Sequence, residues 1–280
     1  MTAQLPLPFD KRWDRRRETW QHPDMTFNPR GYAVDVVDEA AARAFVLDHH
    51  YSASFPAARL SIGLFDGRTL AGVAVFSVPM QQAVVPRYSG LSAGEGVELG
   101  RFVLSESVAF NGETWFLARA FRLLQREKGA RVVVSYSDPM ERSTDAGILT
   151  KPAHFGTIYQ AHNAVFAGRA AARWLWLDRH GQVVSERALS KIRNAEVGHA
   201  YAARRLEAAG ADPRGRHEDP RTWLDRVLRA PVFRRIRHPG NFAYAFGLDR
   251  SAKAAIAATV DAQPYPHGNA RHQRKALSAK

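Results

Sequence analysis

The stretch Val132–Arg169 constrains the fold of this chain more than any other. It opens with three consecutive valines, continues through the polar run Ser135–Asp138 and is stopped by Pro139. A β-branched run bounded in this way predicts a buried strand that delivers an acidic side chain to the rim of a sheet. The later segment His154–Asn163 gathers histidine, phenylalanine, tyrosine and asparagine within ten residues. Such a mixture after a buried strand indicates a functional site.

The chain is strongly basic and contains no cysteine. Its 280 residues carry 40 Lys and Arg against 27 Asp and Glu, a net charge of +13. This charge favours a polyanionic partner, most simply a nucleic acid, over the alternative of a solubilising surface. The missing cysteines exclude disulfides, cysteine-ligated zinc and a thiol nucleophile. No apolar run approaches the roughly 20 residues of a membrane span, so a cytoplasmic protein without a membrane partner is expected.

Strands and helices alternate along the central part of the sequence. The predicted elements are, in order, a helix at Asp38–Leu47, a hairpin of Leu60–Asp66 and Thr69–Val78, a strand at Val97–Leu104, a helix from Asn111 to about Glu127, a strand at Arg131–Ser137, a helix over 155–167 and a strand over 174–178. This order predicts an α/β fold in which a mixed β-sheet is flanked by helices.

Composition divides the chain into four predicted segments. Residues 1–30 form a basic, proline-rich N-terminal arm, and residues 31–185 form the central core. Residues 186–250 form a helical and basic-aromatic extension that packs on the core and contacts DNA, and residues 251–280 form a basic mobile tail. Within the extension one long helix, over 186–209, is predicted to turn four apolar residues inward: Leu189, Ile192, Val197 and Leu206.

Two features indicate contacts with macromolecular partners. Arginines on the predicted long helix and in the basic segment before the strand Phe242–Leu248 are candidate DNA-binding residues: Arg204, Arg205, Arg234, Arg235 and Arg237. The opening segment Gln4–Phe9 fits a Gln-x-x-Leu-x-Phe pattern that resembles peptides bound by the bacterial sliding clamp. A plain proline-rich terminus is the alternative interpretation of that segment.

Two charged residues on the predicted strands are candidates for chemistry. Arg101 lies between apolar neighbours, and burying it is costly unless a carboxylate or phosphate meets it. A structural ion pair with Glu98, Glu95 or Asp138 and a functional role for Arg101 both remain open. Asp138 ends its strand where open α/β sheets place ligand chemistry. A simple turn before Pro139 is the alternative role for Asp138.

The predicted helix over 155–167 places Tyr159, Asn163 and Phe166 on one stripe. A phenol, an amide and a ring would then converge, and a buried amide requires hydrogen-bond partners. Core packing is the alternative for this stripe. Four histidines together with Asp138 match the ligand types of a metal site: His49, His50, His154 and His162. No tight ligand spacing supports such a site, so the metal ligands stay unknown.

Four motifs taken together resemble the Mom family of phage DNA-modifying proteins. They are His50-Tyr51-Ser52, Val97–Phe102, Val134–Asp138 and His154–Asn163. The resemblance covers about residues 45–180, with a weaker echo over 237–246. It implies a GNAT-like acyltransferase core that converts adenine in DNA to N6-carbamoylmethyladenine. That modification would protect phage or mobile-element DNA from restriction in a bacterial host cell.

The resemblance also implies roles for particular residues. Motif matching assigns catalytic roles to His50, Tyr51, Arg101, Asp138 and Tyr159. Asp138 would accept the proton of the adenine amine, Tyr159 would donate a proton and Arg101 would anchor the donor or orient Asp138. Four residues are expected to bind the substrate: Ser135, His154, Phe155 and Asn163.

The donor and two rival functions are left open by the sequence. GNAT analogy implies acetyl-CoA, with its pyrophosphate on the loop Ser105–Gly112, although this loop lacks Gly-x-Gly character and carries Glu106. An aminoacyl donor such as a glycyl ester suits the two-carbon amide product as well, and the family resemblance implies an iron requirement. The rival functions are a GNAT N-acyltransferase acting on a small amine or protein, and a non-catalytic DNA-binding module.

Overall fold

A computed structural model describes residues 25–52 and 54–267 in full, and the backbone alone of residues 10–14 and 17–21. The predicted sliding-clamp segment Gln4–Phe9, much of the predicted N-terminal arm and the tail after residue 267 lie outside these described residues. No helix in the described part of the chain is long and apolar enough to cross a membrane.

Thirteen strands occur among the described residues. They are β1 Asp10–Asp14, β2 Arg17–Gln21, β3 Tyr32–Val36, β4 Ala58–Asp66, β5 Thr69–Ser77, β6 Gly96–Leu104, β7 Val132–Ser137, β8 Arg142–Ser143, β9 Leu149–Lys151, β10 Val165–Arg169, β11 Arg173–Leu177, β12 Arg234–His238 and β13 Phe242–Gly247. The helices are α1 Glu39–His49, α2 Val84–Ser89, α3 Gly112–Lys128, α4 Thr157–Ala161, α5 Glu186–Arg193, α6 His199–Ala208, α7 Pro220–Arg229 and α8 Arg250–Thr259.

Seven of these strands form a mixed sheet in the order β10-β13-β7-β6-β5-β4-β3. Only β6 and β7 pair in parallel, and every other neighbouring pair in this sheet is antiparallel. Helices α3 and α4 cover one face, while α1, α2 and α8 cover the other. The predicted fold class, a mixed sheet flanked by helices, is therefore confirmed.

Local sequence explains the elements that were predicted well. Gly67 closes the β4–β5 hairpin at φ +55° and Gly129 ends α3 at φ +61°, both in the left-handed region that favours glycine. The predicted apolar face of α3 is buried against the sheet: Phe116, Leu117, Ala120, Phe121 and Leu124. Asp38 caps α1 by accepting a hydrogen bond from the Ala41 N–H at 2.9 Å.

Two predicted helices are wrong in length. The helix over 155–167 is only α4, because Asn163 adopts φ +56° and Val165–Arg169 then pairs with β13. The helix over 186–209 is two helices, because Ala195 adopts φ +49° and Gly198 φ +86°. Val197, predicted to face inward, lies in this break and is 95% exposed.

The described chain divides into two compact units. The sheet unit covers the described residues of 1–138, 154–169 and 241–280, and the insert unit covers 139–153 and 170–240. The insert unit holds β8, β9, β11, β12 and helices α5–α7, with its own core that includes Trp223, Leu224 and Ile192.

This division does not follow the boundary predicted between residues 185 and 186. The strand over 174–178, assigned to the core from sequence, is β11 and pairs with β12 within the insert unit. The strand near Phe242, assigned to the extension from sequence, is β13 and lies inside the central sheet between β10 and β7.

Candidate active site

The candidate site forms where β6 and β7 stop pairing. Their parallel ladder ends at the pair Glu98 and Val134, although both strands continue beyond it. On its other side β6 carries a bulge, since Val75 pairs with Arg101 whereas Phe76 pairs with Leu99. The two strands therefore diverge at their carboxyl ends, where side chains from both faces of the sheet can meet.

Gly100 is the extra residue of this bulge. A Cβ atom at Gly100 would lie 2.6 Å from the Ser77 hydroxyl oxygen, so a side chain does not fit there without moving Ser77. Because of the bulge, Arg101 lies on the side of the sheet that α1 covers. Its partner Val75 faces the same side, where it packs with Val46 and Val103.

Tyr159 reaches this gap from α4 on the opposite face. Its side chain is buried, and its hydroxyl hydrogen-bonds with Ser135 of β7. Burial raises the pKa of Tyr159 well above its usual 10, and the neighbouring Tyr51 and Tyr244 raise it further. Tyr159 is therefore a protonated donor at neutral pH.

His154 and Asp138 are joined through the backbone. The His154 N–H donates to the Asp138 carbonyl oxygen at 2.9 Å, which ties the chain before α4 to the end of β7. The His154 ring lies 5.6 Å from the Tyr159 ring between centroids. Its Nδ1 accepts a hydrogen bond from the Gly156 N–H at 3.2 Å.

His50 and Tyr51 enter the site from the end of α1. The His50 Nδ1 accepts from the Ser52 N–H at 3.1 Å, and its ring lies 4.2 Å from the Tyr51 ring. Burial, together with smaller contributions from Arg101 and His154, lowers the pKa of His50 from 6.5 to about 3. His50 is therefore a neutral imidazole whose Nε2–H can donate a hydrogen bond.

Arg101 carries the positive charge of the site. Its Nε donates to the Ser54 carbonyl at 2.9 Å, and its Nη2 donates to the Ser54 hydroxyl at 2.6 Å. Burial lowers the pKa of Arg101, while Tyr51, Glu98 and Tyr159 oppose that shift. These hydrogen bonds go to neutral acceptors, so the guanidinium keeps much of its capacity to attract an anion.

The ion-pair alternatives for Arg101 are resolved in part. Glu95 pairs with Arg131 at 2.6 Å and is thus committed elsewhere. Glu98 interacts electrostatically with Arg101 and accepts a hydrogen bond from the Met80 N–H, while burial raises the pKa of its carboxyl. Glu98 is a second acidic group of the site beside the predicted Asp138.

Six of the predicted residues converge in the sheet unit: His50, Tyr51, Arg101, Ser135, His154 and Tyr159. Asp138 lies half-buried at the end of β7 and joins them through its bond to His154. Phe155 packs towards the core, 6.0 Å from Phe242 between ring centroids.

The predicted burial of Asn163 on a helix stripe is wrong. Asn163 is exposed and occupies the left-handed turn between α4 and β10. Asparagine tolerates this backbone conformation better than most residues, which accounts for its presence there. The geometry supports a role in the turn, and substrate binding by Asn163 stays a prediction.

Sequence reasoning missed the supports of the site. Ser54 holds the Arg101 guanidinium. The Tyr244 hydroxyl of β13 donates to the Phe155 carbonyl at 2.5 Å. The Tyr244 ring packs so closely on Gly156 that an added Cβ atom there would lie 2.6 Å from it. The aromatic pattern of Phe242–Gly247 predicted a strand but gave no indication that this strand lies next to β7.

The residues near the site do not form a metal centre. No group of three or more potential His, Asp or Glu ligands lies together among the described residues, so the iron expectation is not supported. His49 stacks on Phe45 with centroids 4.1 Å apart, and His162 packs edge-on against Phe121 at 5.3 Å. Both of these imidazoles lie in aromatic surroundings.

The loop between β6 and α3 differs in two ways from a cradle for the pyrophosphate of coenzyme A. Three of its N–H groups, at Ser105, Val108 and Gly112, are bonded to carbonyls of the protein at 2.8, 3.2 and 3.1 Å. Glu106 in the loop and Glu113 in the first turn of α3 add negative charge at the start of this helix. These features disfavour the binding of an anion at the loop.

The predicted DNA-binding arginines lie in the insert unit. Arg204 and Arg205 are exposed on α6. In the β11–β12 pair, Arg235 and Arg237 lie over the half-exposed Trp174 ring at 4.5 and 5.5 Å from its centroid. Arg234 instead pairs with Asp145 at 3.5 Å and bonds to the Ser143 carbonyl.

Comparison with known proteins identifies the family of the chain. The model of the Mom protein family matches residues 31–267, and the chain therefore belongs to the Mom family. A search of curated proteins found no match.

Among solved structures the chain is similar to GNAT acetyltransferases. A tandem GNAT protein from the clavulanic acid biosynthesis pathway is 12% identical, with a TM-score of 0.40 over 78% of this chain and 99% of that one. A ribosomal-protein-S5-alanine acetyltransferase from Vibrio fischeri is 11% identical, with a TM-score of 0.34 over 53% and 87%. A GCN5-related N-acetyltransferase from Kribbella flavida is 15% identical, with a TM-score of 0.32 over 83% and 62%.

Proposed function

We propose that this protein is a DNA-modifying transferase that converts adenine in DNA to N6-carbamoylmethyladenine and so protects phage or mobile-element DNA from restriction. One observation carries the proposal. The residues that the Mom resemblance assigns to catalysis, far apart in sequence, come together where β6 and β7 diverge. Membership of the Mom family supports a transferase, and the basic balance of the chain supports a DNA substrate.

The target amine sets what the site must do. The lone pair of the N6 amine is delocalised into the ring, and in duplex DNA the amine is also base-paired, so the adenine has to leave the stack. Tyr51 and His50 form an aromatic pair in the site, with ring centroids 4.2 Å apart, against which an extruded base can stack.

Protonation states then divide the chemistry among the residues. As the bond between N6 and the donor carbon forms, an N6 proton is lost to Asp138. The bond from the donor carbon to its leaving group breaks, and Tyr159, which burial keeps protonated, donates a proton to that group. Neutral His50 donates from Nε2, and Arg101 attracts the negative charge of the donor.

The donor is an activated two-carbon unit whose anionic portion Arg101 would hold. Acetyl-CoA follows from analogy with GNAT acetyltransferases, but attack of N6 on its acyl carbon would release the thiol and give N6-acetyladenine, which lacks the nitrogen of the amide. A glycyl ester carries that nitrogen. Attack of N6 on its acyl carbon releases the alcohol and gives N6-glycyladenine, an isomer of N6-carbamoylmethyladenine. An intramolecular rearrangement, in which the glycyl nitrogen bonds to the acyl carbon and N6 moves to the CH2 carbon, then gives the product without an oxidant or a further reactant. To distinguish these two donors, the purified protein is incubated with DNA and one donor at a time, and the modified nucleoside that forms is identified.

Mass spectrometry of nucleosides tests the proposal. DNA from bacteria that express the wild-type protein should contain N6-carbamoylmethyladenine, and DNA from cells with Asp138→Asn should contain none, because the variant lacks the proton acceptor. Circular dichroism and duplex binding should match the wild type for this variant. Unmodified adenine in the wild-type sample alongside normal duplex binding would favour a non-catalytic DNA-binding module.

A further inference from the structure

A second positively charged site lies on the sheet unit, away from the candidate active site. Arg119, Arg122 and Arg126 line one side of an open groove of about 550 Å³, and Tyr32 and Asp35 of the end strand β3 line the other. At the usual strand spacing of about 4.8 Å, β3 lies three strands and roughly 14 Å from β6. The groove is therefore distinct from the gap between β6 and β7.

The three arginines are presented together by the geometry of α3. Positions i, i+3 and i+7 fall on one face of a helix, so Arg119, Arg122 and Arg126 point into the same groove. Seven residues of helix span about 10 Å at 1.5 Å per residue. The arginines thus form a row of positive charge of about that length.

Arg119 is held in place at the start of this row. Its guanidinium lies 3.6 Å from the centroid of the Trp115 ring, and its Nη1 donates to the Trp115 carbonyl at 3.5 Å. Trp115 itself packs edge-on against Phe27, with centroids 5.4 Å apart. A cation fixed over an indole ring is pre-organised to meet an anion.

Among the described residues that line the groove, three arginines face a single carboxylate. Desolvation lowers the pKa of Arg119, and repulsion from Arg122 lowers it further, so the neighbouring guanidinium groups repel each other. Asp35 is the one carboxylate among the lining residues, and its Oδ1 accepts from the Val36 N–H at 2.7 Å. The exposed pair of Arg126 with Glu127 at 2.9 Å contributes little to stability.

We infer that this groove binds successive phosphates of a nucleic-acid strand. One strand of duplex DNA rises about 3.4 Å along the helix axis per phosphate but also winds around that axis, so neighbouring phosphates lie farther apart than this rise and a row of about 10 Å reaches two or three of them. The openness of the groove along α3 suits an extended polyanion. That the groove binds a nucleic-acid strand is argued from the groove itself. That this strand belongs to the DNA substrate rests on the proposed function.

The salt dependence of duplex binding tests the groove. Fluorescence anisotropy of the full-length protein with a labelled 20-bp duplex, from about 50 to 200 mM KCl, gives the slope of log K against log salt. The triple variant Arg119→Ser, Arg122→Ser, Arg126→Ser should reduce the magnitude of this slope by about 2 to 3.

The matched control removes the same charge outside the groove. The variant Arg68→Ser, Lys128→Ser, Arg250→Ser changes three exposed residues of the sheet unit, and it should change the slope by less than about 1. The single variant Arg122→Glu, at an exposed position, should weaken duplex binding more than Arg122→Ser. Equal slopes for the groove and control variants would overturn the inference.

Other anions define the remaining outcomes. One contrary outcome is that inorganic pyrophosphate binds the wild type saturably but not the triple variant, while the two proteins have equal salt slopes for duplex binding. This result would assign the groove to a small phosphate ligand and overturn the inference. Poly-glutamate that displaces the duplex as well as competitor DNA of equal charge would overturn it in favour of an acidic protein. A wild type that binds duplex through this groove without modifying adenine would refute the proposed chemistry and leave the groove standing.

Discussion

Burial sets the protonation states of the residues in the candidate site. His50 and Tyr159 are both kept neutral, one because its pKa is lowered to about 3 and the other because its pKa is raised. Tyr159 is therefore a proton donor at neutral pH, and His50 is unprotonated but a weaker base than an ordinary histidine. In the proposed chemistry a carboxylate accepts the proton of the amine, and Asp138 and the half-buried Glu98 are the candidates for that role.

Stability should decrease in acid because of His50. Between pH 6.5 and about 3 the unfolded chain binds a proton at His50 that the folded chain does not. This contribution is fully present above pH 6.5 and is lost as the pH falls towards 3, with a slope of at most about 1.4 kcal/mol per pH unit. Chemical denaturation of wild type and His50→Gln across this range should show the slope reduced in the variant.

The exposed His180 provides the control for this measurement. His180→Gln should keep the acid dependence of the wild type. A slope for His50→Gln that equals the wild-type slope would show that His50 is protonated in the folded protein as readily as in the unfolded chain.

Short elements position the site more than long ones do. The five-residue helix α4 carries Tyr159 and begins after Gly156. A Cβ atom at Gly156 would lie only 2.6 Å from ring atoms of Tyr244 in β13, so the start of α4 packs closely against this strand. The Tyr244 hydroxyl fixes the Phe155 carbonyl from the same strand. Strand β13 therefore supports the start of α4 mainly through the packing of the Tyr244 ring.

Gly156→Ala should be more destabilising than Gly129→Ala. Both glycines have positive φ, +71° and +61°, so each alanine variant costs about 1 kcal/mol of backbone strain. Only at Gly156 does the new methyl group meet a ring, while Gly129 has nothing within 4 Å. We expect an additional loss of about 1 to 3 kcal/mol in the unfolding free energy of Gly156→Ala, measured by urea denaturation. Equal losses would mean that the Tyr244 ring moves aside at little cost.

Elements with their own local signals were predicted from sequence, and those set by distant pairing were not. The β4–β5 hairpin and α3 were predicted because Gly67 and Gly129 stop them at left-handed turns. The end of α4 depends on Asn163, a residue that helices also contain, and on the pairing of Val165–Arg169 with a strand some 80 residues later. Local periodicity carries no information about such a partner.

At the scale of the whole molecule, charge is concentrated in the insert unit. Residues 139–153 and 170–240 contain 17 Lys and Arg against 10 Asp and Glu, so they carry +7 of the net +13. Sequence composition showed the excess charge but not that two separate stretches form one unit. The motif residues of the candidate site were predicted from sequence, and Glu98 was predicted as one possible ion-pair partner of Arg101, whereas Ser54 and Tyr244 required the fold.

The arginines of β12 should differ in their effect on DNA binding. Arg235 and Arg237 extend over Trp174 at the surface, whereas Arg234 is paired with Asp145. Arg235→Ser with Arg237→Ser should reduce the salt slope of duplex binding by about 2, and Arg234→Ser should change it by well under 1. A larger effect of Arg234→Ser in the same anisotropy titration would reverse this assignment.

The most direct test compares two tyrosines that each lose one hydroxyl. Tyr159 bonds with Ser135 where the strands diverge, whereas Tyr244 donates to the Phe155 carbonyl beside it. Nucleoside mass spectrometry of DNA from expressing cells should show N6-carbamoylmethyladenine for the wild type and for Tyr244→Phe, and none for Tyr159→Phe. Wild-type levels of the modified base in Tyr159→Phe would contradict the account, as would its absence from the wild-type sample.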